Sequence, residues 1–190
     1  ACTLVSDGKA LVAQFSSNDV FCLDLQGQLL WLRGLTFDYP NAANGLGMSS
    51  SPVLAEGVAI IQVENDADSF TFGLDLDNGA TLWKKDRPRG ANWTSPIVMR
   101  TKGREIVALQ SKDGLSAIEP SSGEEIWSFD GGASTIPSSA WAQEGLVLVP
   151  SNGLAALKMN ATGERPEKVW TDNKLKPGTG SPTVVQDKVY

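Results

Sequence analysis

The 190-residue sequence contains no histidine, and that absence removes every mechanism that needs imidazole as base, nucleophile partner or metal ligand. Ser-His-Asp and Cys-His catalysis are excluded from this chain, as are zinc sites built on histidine. Cysteine is nearly as scarce: Cys2 and Cys22 are too few for a disulfide framework or an all-cysteine zinc site. No apolar stretch approaches the ~18 residues of a membrane span. The chain opens on Ala1-Cys2-Thr3, with neither Met nor a signal-peptide pattern, so the expectation is that any targeting signal lies outside this sequence or never existed. Basic residues are outnumbered 16 to 22, giving a formal net charge of −6. Nucleic acids and acidic membranes are bound by net basic surfaces, so neither is an expected partner. Charge is nevertheless uneven, because residues 84–104 hold seven basic groups and one acidic group, a local +6.

What is present first is an ordinary globular composition, 41% hydrophobic and 20% charged, in a chain long enough for one substantial domain. The main signal is internal repetition. Gly27-Gln-Leu-Leu-Trp31, Gly79-Ala-Thr-Leu-Trp83 and Gly123-Glu-Glu-Ile-Trp127 share a Gly-x-x-x-Trp unit, and Gly163 with Trp170 repeats it with three extra residues. The tryptophans are 52, 44 and 43 residues apart. Ser51-Pro52, Ser95-Pro96, Pro137-Ser138 and Ser181-Pro182 keep similar time, with prolines at intervals of 44, 41 and 45.

Between these landmarks each unit reads as short strands bounded by turn residues. In the second unit the strands are 51–54, 58–63, 71–76 and 81–85; in the third they are 95–99, 106–110, 115–119 and 125–129. No segment carries a capped 3.6-residue apolar stripe over ten residues, so helix is expected to be almost absent. Four antiparallel strands in ~40–50 residues is the signature of a β-propeller blade. The expected fold is therefore all-β, with blades at approximately 1–35, 48–86, 94–130 and 136–171, and the start of a fifth at 181–190.

The repeat resembles the pyrroloquinoline-quinone type, roughly Ala-x-Asp-x-x-Thr-Gly-x-x-x-Trp. It stands here as Leu23-Asp24-Leu25-Gln26-Gly27…Trp31, Leu74-Asp75-Leu76-Asp77-Asn78-Gly79…Trp83, Ala117-Ile118-Glu119-Pro120-Ser121-Ser122-Gly123…Trp127 and Leu157-Lys158-Met159-Asn160-Ala161-Thr162-Gly163…Trp170. This resemblance implies an eight-bladed propeller of which the chain would be an arc, with open edges that can pair with another copy. It is compatible with quinoprotein dehydrogenases and with non-enzymatic scaffolds, and implies a periplasmic or extracytoplasmic setting. Quinoprotein alcohol dehydrogenases of this repeat carry adjacent cysteines and a calcium site of Glu, Asn and Asp; the sequence has no Cys-Cys pair, and no such calcium set maps onto it.

Each repeated glycine is expected in the turn between third and fourth strands, where a positive φ is needed. Each tryptophan is expected to pack over the joint with the neighbouring blade, burying ~150–250 Å². Cys2 and Cys22 fall two strands apart, or ~9.6 Å at ~4.8 Å per strand, beyond the ~7 Å reach of a disulfide; two free thiols are expected.

Ligands and partners of a propeller meet one face, on the loops that join the second strand of a blade to its third and on those that join one blade to the next, the latter here 35–47, 86–93, 131–136 and 172–180. Asp86-Arg-Pro-Arg-Gly-Ala-Asn-Trp93 is the most chemical of these. Arg87 and Arg89 can hold carboxylates, Trp93 offers a stacking plane, and Asn92 lies between; equally, the segment can be a solvated turn. Arg100, Lys102 and Arg104 flank the turn after a first strand, ~17 Å away on the opposite face. Asp38-Tyr39 opens the longest loop, readable as a partner-contacting lid or a plain connection. Two functions follow. One is a non-catalytic scaffold binding protein partners, with no cofactor; the other is part of a dehydrogenase using pyrroloquinoline quinone and calcium.

Overall fold

The computed structural model describes residues 2–42, 47–101, 103–142, 145–160, 163–186 and 188–190. The first sheet comprises β1 Val5–Ser6, β2 Ala10–Gln14, β3 Asp19–Asp24 and β4 Leu29–Gly34, followed by the one-turn helix α1 Leu35–Asp38. The second holds β5 Val53–Ala55, β6 Val58–Val63, β7 Phe70–Asp75 and β8 Thr81–Asp86. The third holds β9 Ile97–Thr101, β10 Arg104–Ser111, β11 Gly114–Ile118 and β12 Glu125–Phe129. The fourth holds β13 Ala140–Ala142, β14 Leu146–Ser151, β15 Gly153–Lys158 and β16 Glu167–Asp172. A two-stranded sheet, β17 Val184–Val185 with β18 Lys188–Val189, starts the next unit. Every sheet is an antiparallel meander with neighbours in chain order. The strands lie within two residues of those read from the second and third repeats. Among the described residues α1 is the only α-helix, and no helix is long and apolar enough to cross a membrane.

Adjacent sheets pack face to face, with β1, β5, β9 and β13 next to one another along the inner side. The joint between blades one and two is filled from Val12, Val20, Ile61, Val63, Phe70 and Phe72; that between two and three from Ile60, Trp83, Val107 and Leu109; that between three and four from Met99, Ile106, Val147, Val149 and Leu157. Middle strands are apolar on both faces for this reason: all six residues of β6 are buried. Outer strands bury little more than their tryptophan, as β8 shows.

The Gly-x-x-x-Trp unit is explained by contacts between blades. Nε1 of Trp31 donates to the Leu76 carbonyl at 2.8 Å, that of Trp83 to Pro120 at 2.8 Å, and that of Trp127 to Gly163 at 3.1 Å. Each tryptophan thus satisfies its N–H on the β3–β4-type turn of the next blade. A Cβ on Gly79 would come within 2.7 Å of the Trp31 ring, and one on Gly123 within 2.6 Å of Trp83. The repeated glycines do adopt positive φ, 82° at Gly27, 72° at Gly79, 67° at Gly123 and 78° at Gly163. At Gly79 and Gly123 they also seat the preceding blade's ring. One residue before each tryptophan the ladder slips, at Cys22/Leu23, Gly73/Leu74, Ala117/Ile118 and Ala156/Leu157. In three blades this bulge turns an extra apolar residue outward: Leu30, Leu82 and Val169 are exposed, whereas Ile126 in the third blade is partly buried against the core. Trp170, beside only the two-stranded start of the next unit, is 38% exposed, whereas Trp31, Trp83 and Trp127 are at most 8% exposed.

Both cysteines are free. Cys22 lies buried in β3 with its thiol toward the Leu76 carbonyl, and the Cys2 thiol lies toward Met48.

Candidate functional site

The loops entering each new blade gather on one face, and the segment after β8 forms its centre. The Arg87 backbone N–H donates to Ser69 at 2.9 Å, continuing the β7–β8 ladder. Its guanidinium turns inward, Nε donating to Glu64 Oε1 at 2.7 Å and one terminal nitrogen to Ser116 Oγ at 2.6 Å. Glu64 follows directly on β6 and pairs by a lone bridge with Asn92. Asn92 Nδ2 donates to Glu64 Oε2 and to the Gln110 carbonyl, both at 2.7 Å, while its Oδ1 accepts from the Thr94 N–H and hydroxyl. The Glu64 and Arg87 side chains are only 2% and 9% exposed. Burial pushes the Glu64 carboxyl above its ordinary pKa, and the Arg87 charge with the Asn92 and Arg87 hydrogen bonds pulls it back.

Gln110 extends this network towards blade four. Its Nε2 donates to the Ser134 and Pro137 carbonyls, and its Oε1 accepts from both the N–H and the hydroxyl of Ser139. Trp93 fastens the segment on two sides, its N–H to Thr135 at 2.8 Å and its Nε1 to Gly47 at 3.1 Å. Arg89 is exposed and makes no ion pair among the described residues.

The other sequence candidates come from blade one. Asp38 ends α1 and accepts from Arg33 at 3.1 Å, while Arg33 also donates to the Gly79 carbonyl. The Tyr39 ring lies against Phe70 and Phe72, and the Lys84 ammonium stands 4.8 Å from its centroid. Residues 43–46 of the long loop lie outside the described residues, so its lid reading reaches only Asp38 to Ala42 here. Tyr39, Arg87 and Arg89 line one cavity of about 300 Å³ together with Ser69, Lys84 and Asp86. Asp38, Asn92 and Trp93 are not part of its lining. On the opposite face Arg100 pairs with Glu105 and Arg104 with Glu119; Lys102 lies outside the described residues.

Glu64, Gln110, Ser116 and Lys84 were not singled out from sequence. Gln62 and Glu64 carried a trace, as polar residues closing an otherwise apolar strand. The network can hold loops of three blades in fixed relation, and its buried charges are already matched. Arg87, the cation that could hold a quinone carboxylate, is engaged by Glu64.

No protein-family profile matches the chain. Over 59 residues it is 36% identical to the outer membrane protein assembly factor BamB of Alkalilimnicola ehrlichii, covering 31% of this chain and 15% of that protein. The crystal structure of BamB from Moraxella catarrhalis superposes over 100% of this chain and 56% of that one, with a TM-score of 0.70 at 18% identity. Quinohemoprotein alcohol dehydrogenase from Comamonas testosteroni gives 0.67 over 99% of this chain and 38% of the enzyme, at 13% identity. The chain thus spans little more than half of the first of these structures. Four four-stranded meanders joined by tryptophan on glycine, and these structural likenesses along the whole chain, show the fold of a partial β-propeller, similar to that of the outer-membrane assembly factor and of the quinohemoprotein alcohol dehydrogenases.

Proposed function

We propose that the chain is a non-catalytic binding module, a propeller scaffold for protein partners at the cell envelope. The observation that carries this reading is the state of the loop-face charges. Glu64 and Arg87, the buried acid and base of that face, are used up on each other, on Asn92 and on Ser116. A general acid or base must be free to exchange a proton with a substrate, and both groups are already hydrogen-bonded within the fold. What the face offers a partner is the exposed cation Arg89, the Lys84–Tyr39 stack and the rim of their cavity. The partial identity with an outer membrane protein assembly factor supports the envelope setting and protein partners.

The test is binding of the purified chain to components of an outer-membrane protein assembly machinery, read by biolayer interferometry. Saturable micromolar binding is expected, weakened several-fold by Arg89→Glu, with Lys9→Glu as a charge-matched control. Absence of binding at 100 µM, a concentration on the order of transient-interface Kd values, sinks the reading. A parallel titration with pyrroloquinoline quinone and calcium checks the dehydrogenase alternative. Saturable quinone absorbance with alcohol or sugar oxidation would replace the scaffold reading.

A further inference from the structure

Each of β4, β8, β12 and β16 ends its sheet, so its far backbone edge has no strand beside it among the described residues. Such an edge is a template for further strand pairing, and proteins blunt it with charge. Three of the four follow that rule. β8 presents Lys84, Lys85 and Asp86 at its surface, β12 presents Glu125, and β16 presents Glu167 and Lys168. In β4 the exposed residues are instead Leu29, Leu30 and Leu32, each at least half exposed. Its one charged residue, Arg33, is engaged by the Gly79 carbonyl, Thr81 and Asp38. The bulge beside the tryptophan is common to all four strands, so charge is what sets β4 apart.

The leucines owe their exposure to their positions in an outer strand. Register aligns Leu29 with Thr81 and Glu125, and Leu32 with Lys84 and Ser128. Blades two and three each have a complete blade packed on that side, and these four positions are still exposed or half-buried. Leucine in their place is particular to β4. The apolar strip continues onto the loop face, where α1 follows β4 directly and Phe37 is 90% exposed. Charge narrows what can lie on it. Residues 1–83 carry ten acidic and two basic groups, a local −8, and Asp24 and Asp38 stand just before and just after β4. Two copies meeting at β4 would bring two such halves together. Their leucines and Phe37 offer on the order of 900 Å² in total, short of the ~1,200–2,000 Å² of a stable pair.

We propose that the outer edge of β4 takes up an extended segment of a protein partner as a fifth strand of blade one, a segment with apolar side chains beside the leucines and basic residues at its flanks. Backbone N–H and C=O groups on the free edge supply the hydrogen bonds, and Leu29, Leu30 and Leu32 supply the side-chain contacts. The acidic surroundings attract the flanking cations. This inference rests on the scaffold reading for the existence of a protein partner, and it places a contact on the rim of blade one, apart from Arg89.

The test is fluorescence anisotropy of the full chain with a short labelled peptide of alternating Thr and Val, flanked by lysines. Saturable binding is expected, with a Kd on the order of 10 µM. N-methylation along both edges of the peptide, which removes its strand donors, should abolish binding, and glutamate flanks should weaken it about tenfold. Leu30→Thr combined with Leu32→Thr is neutral and strand-compatible at exposed positions; the pair should weaken binding about tenfold and leave the melting temperature unchanged. Leu82→Thr on β8 should leave binding as it is. No saturable binding, equal binding of the N-methylated or glutamate-flanked peptide, or indifference to the leucine pair overturns the proposal. A wild-type dimer in sedimentation velocity that the leucine changes dissociate also overturns it, and gives the edge to a second copy. Arg89-dependent partner binding that persists beside any of these failures leaves the scaffold reading standing and removes the strand addition alone.

Discussion

The backbone N–H of Ser51 donates to Ser95 Oγ at 2.9 Å, joining the entry of blade two to that of blade three. The same bond runs from Ser95 to Ser138 at 2.8 Å, from Ser138 to Ser181 at 2.9 Å, and from Thr3 to Ser51 at 2.9 Å. Each blade is thus tied to the next at the start of its first strand. The repeating residue is the serine, at sequence separations of 44, 43 and 43. Proline intervals were uneven because blade four has Ser139 where blades two, three and five have Pro52, Pro96 and Pro182.

Ser139 departs from proline for a visible reason: its N–H and hydroxyl both donate to Gln110 Oε1 at 2.7 Å. Ser139→Pro, although it restores the repeat pattern, is expected to destabilise the protein by ~1–3 kcal/mol through the lost N–H and an unsatisfied buried amide oxygen. Ser95→Ala, which orphans only the Ser51 N–H, should cost about 1 kcal/mol. Urea unfolding monitored by tryptophan fluorescence checks both; a neutral Ser139→Pro would remove Gln110 as the reason for serine there.

Three glycines separate backbone from packing. Gly27 has φ 82° and nothing within 4 Å of an added Cβ, so Gly27→Ala should cost only the left-handed backbone, ~1–2 kcal/mol. Gly73 lacks a positive φ, but its Cβ would meet the Trp83 ring at 2.2 Å; Gly73→Ala should cost ~1–3 kcal/mol by overpacking and disturb Trp83 emission. Gly123 combines both, with φ 67° and the same ring at 2.6 Å, so Gly123→Ala should be the worst of the three. Equal losses at Gly27 and Gly123 would mean that the ring contact contributes nothing.

The blade repeat was legible because its causes are local: a turn that needs Gly27, Gly79, Gly123 and Gly163, and a strand that needs one large ring to bury. Strand limits followed from apolar runs between turn residues, as at Val58–Val63. The bulge one residue before each tryptophan was not legible, since Leu30 and Leu82 look like strand residues that should face inward. The partners of the loop-face side chains were hidden for a different reason. Arg87 meets Glu64 23 residues earlier and Ser116 29 residues later, and a segment read by itself shows a free cation where the fold makes a matched one. Arg89, two residues on, reads the same in sequence and is exposed.

The two thiols should differ in reactivity. Burial raises both thiol pKa values, and the charges of Asp7 and Asp77 raise that of Cys22 further. Cys22 is 0% exposed, so it should react with a disulfide reagent at pH 8 on the order of 100-fold more slowly than Cys2, by way of opening of the fold. In denaturant both should react at once. A native protein in which both cysteines label in a single fast phase would contradict the placement of Cys22 in the blade-one core.

Arg87→Met tests the buried ion pair through its pH dependence. In the folded protein burial holds the Glu64 carboxyl above its ordinary pKa of 4.5, with Arg87 as the opposing influence. A carboxyl raised on folding contributes stability that is fully present below its unfolded pKa and is lost as pH rises through the folded value. Removing Arg87 takes away the nearest cation and one donor, so the Glu64 pKa climbs further and that loss grows. Arg87→Met should therefore be destabilised by ~3–5 kcal/mol at pH 8, and by distinctly less at pH 5, where Glu64 can take up a proton. Pairing the change with Glu64→Met should recover most of the loss at pH 8, because the stranded charge is gone. Chemical unfolding of the wild type and the variants at both pH values reads these differences. A penalty for Arg87→Met that is the same at pH 5 and pH 8, and is not relieved by the second substitution, would assign Arg87 a packing role through Ser116 rather than a charge role through Glu64.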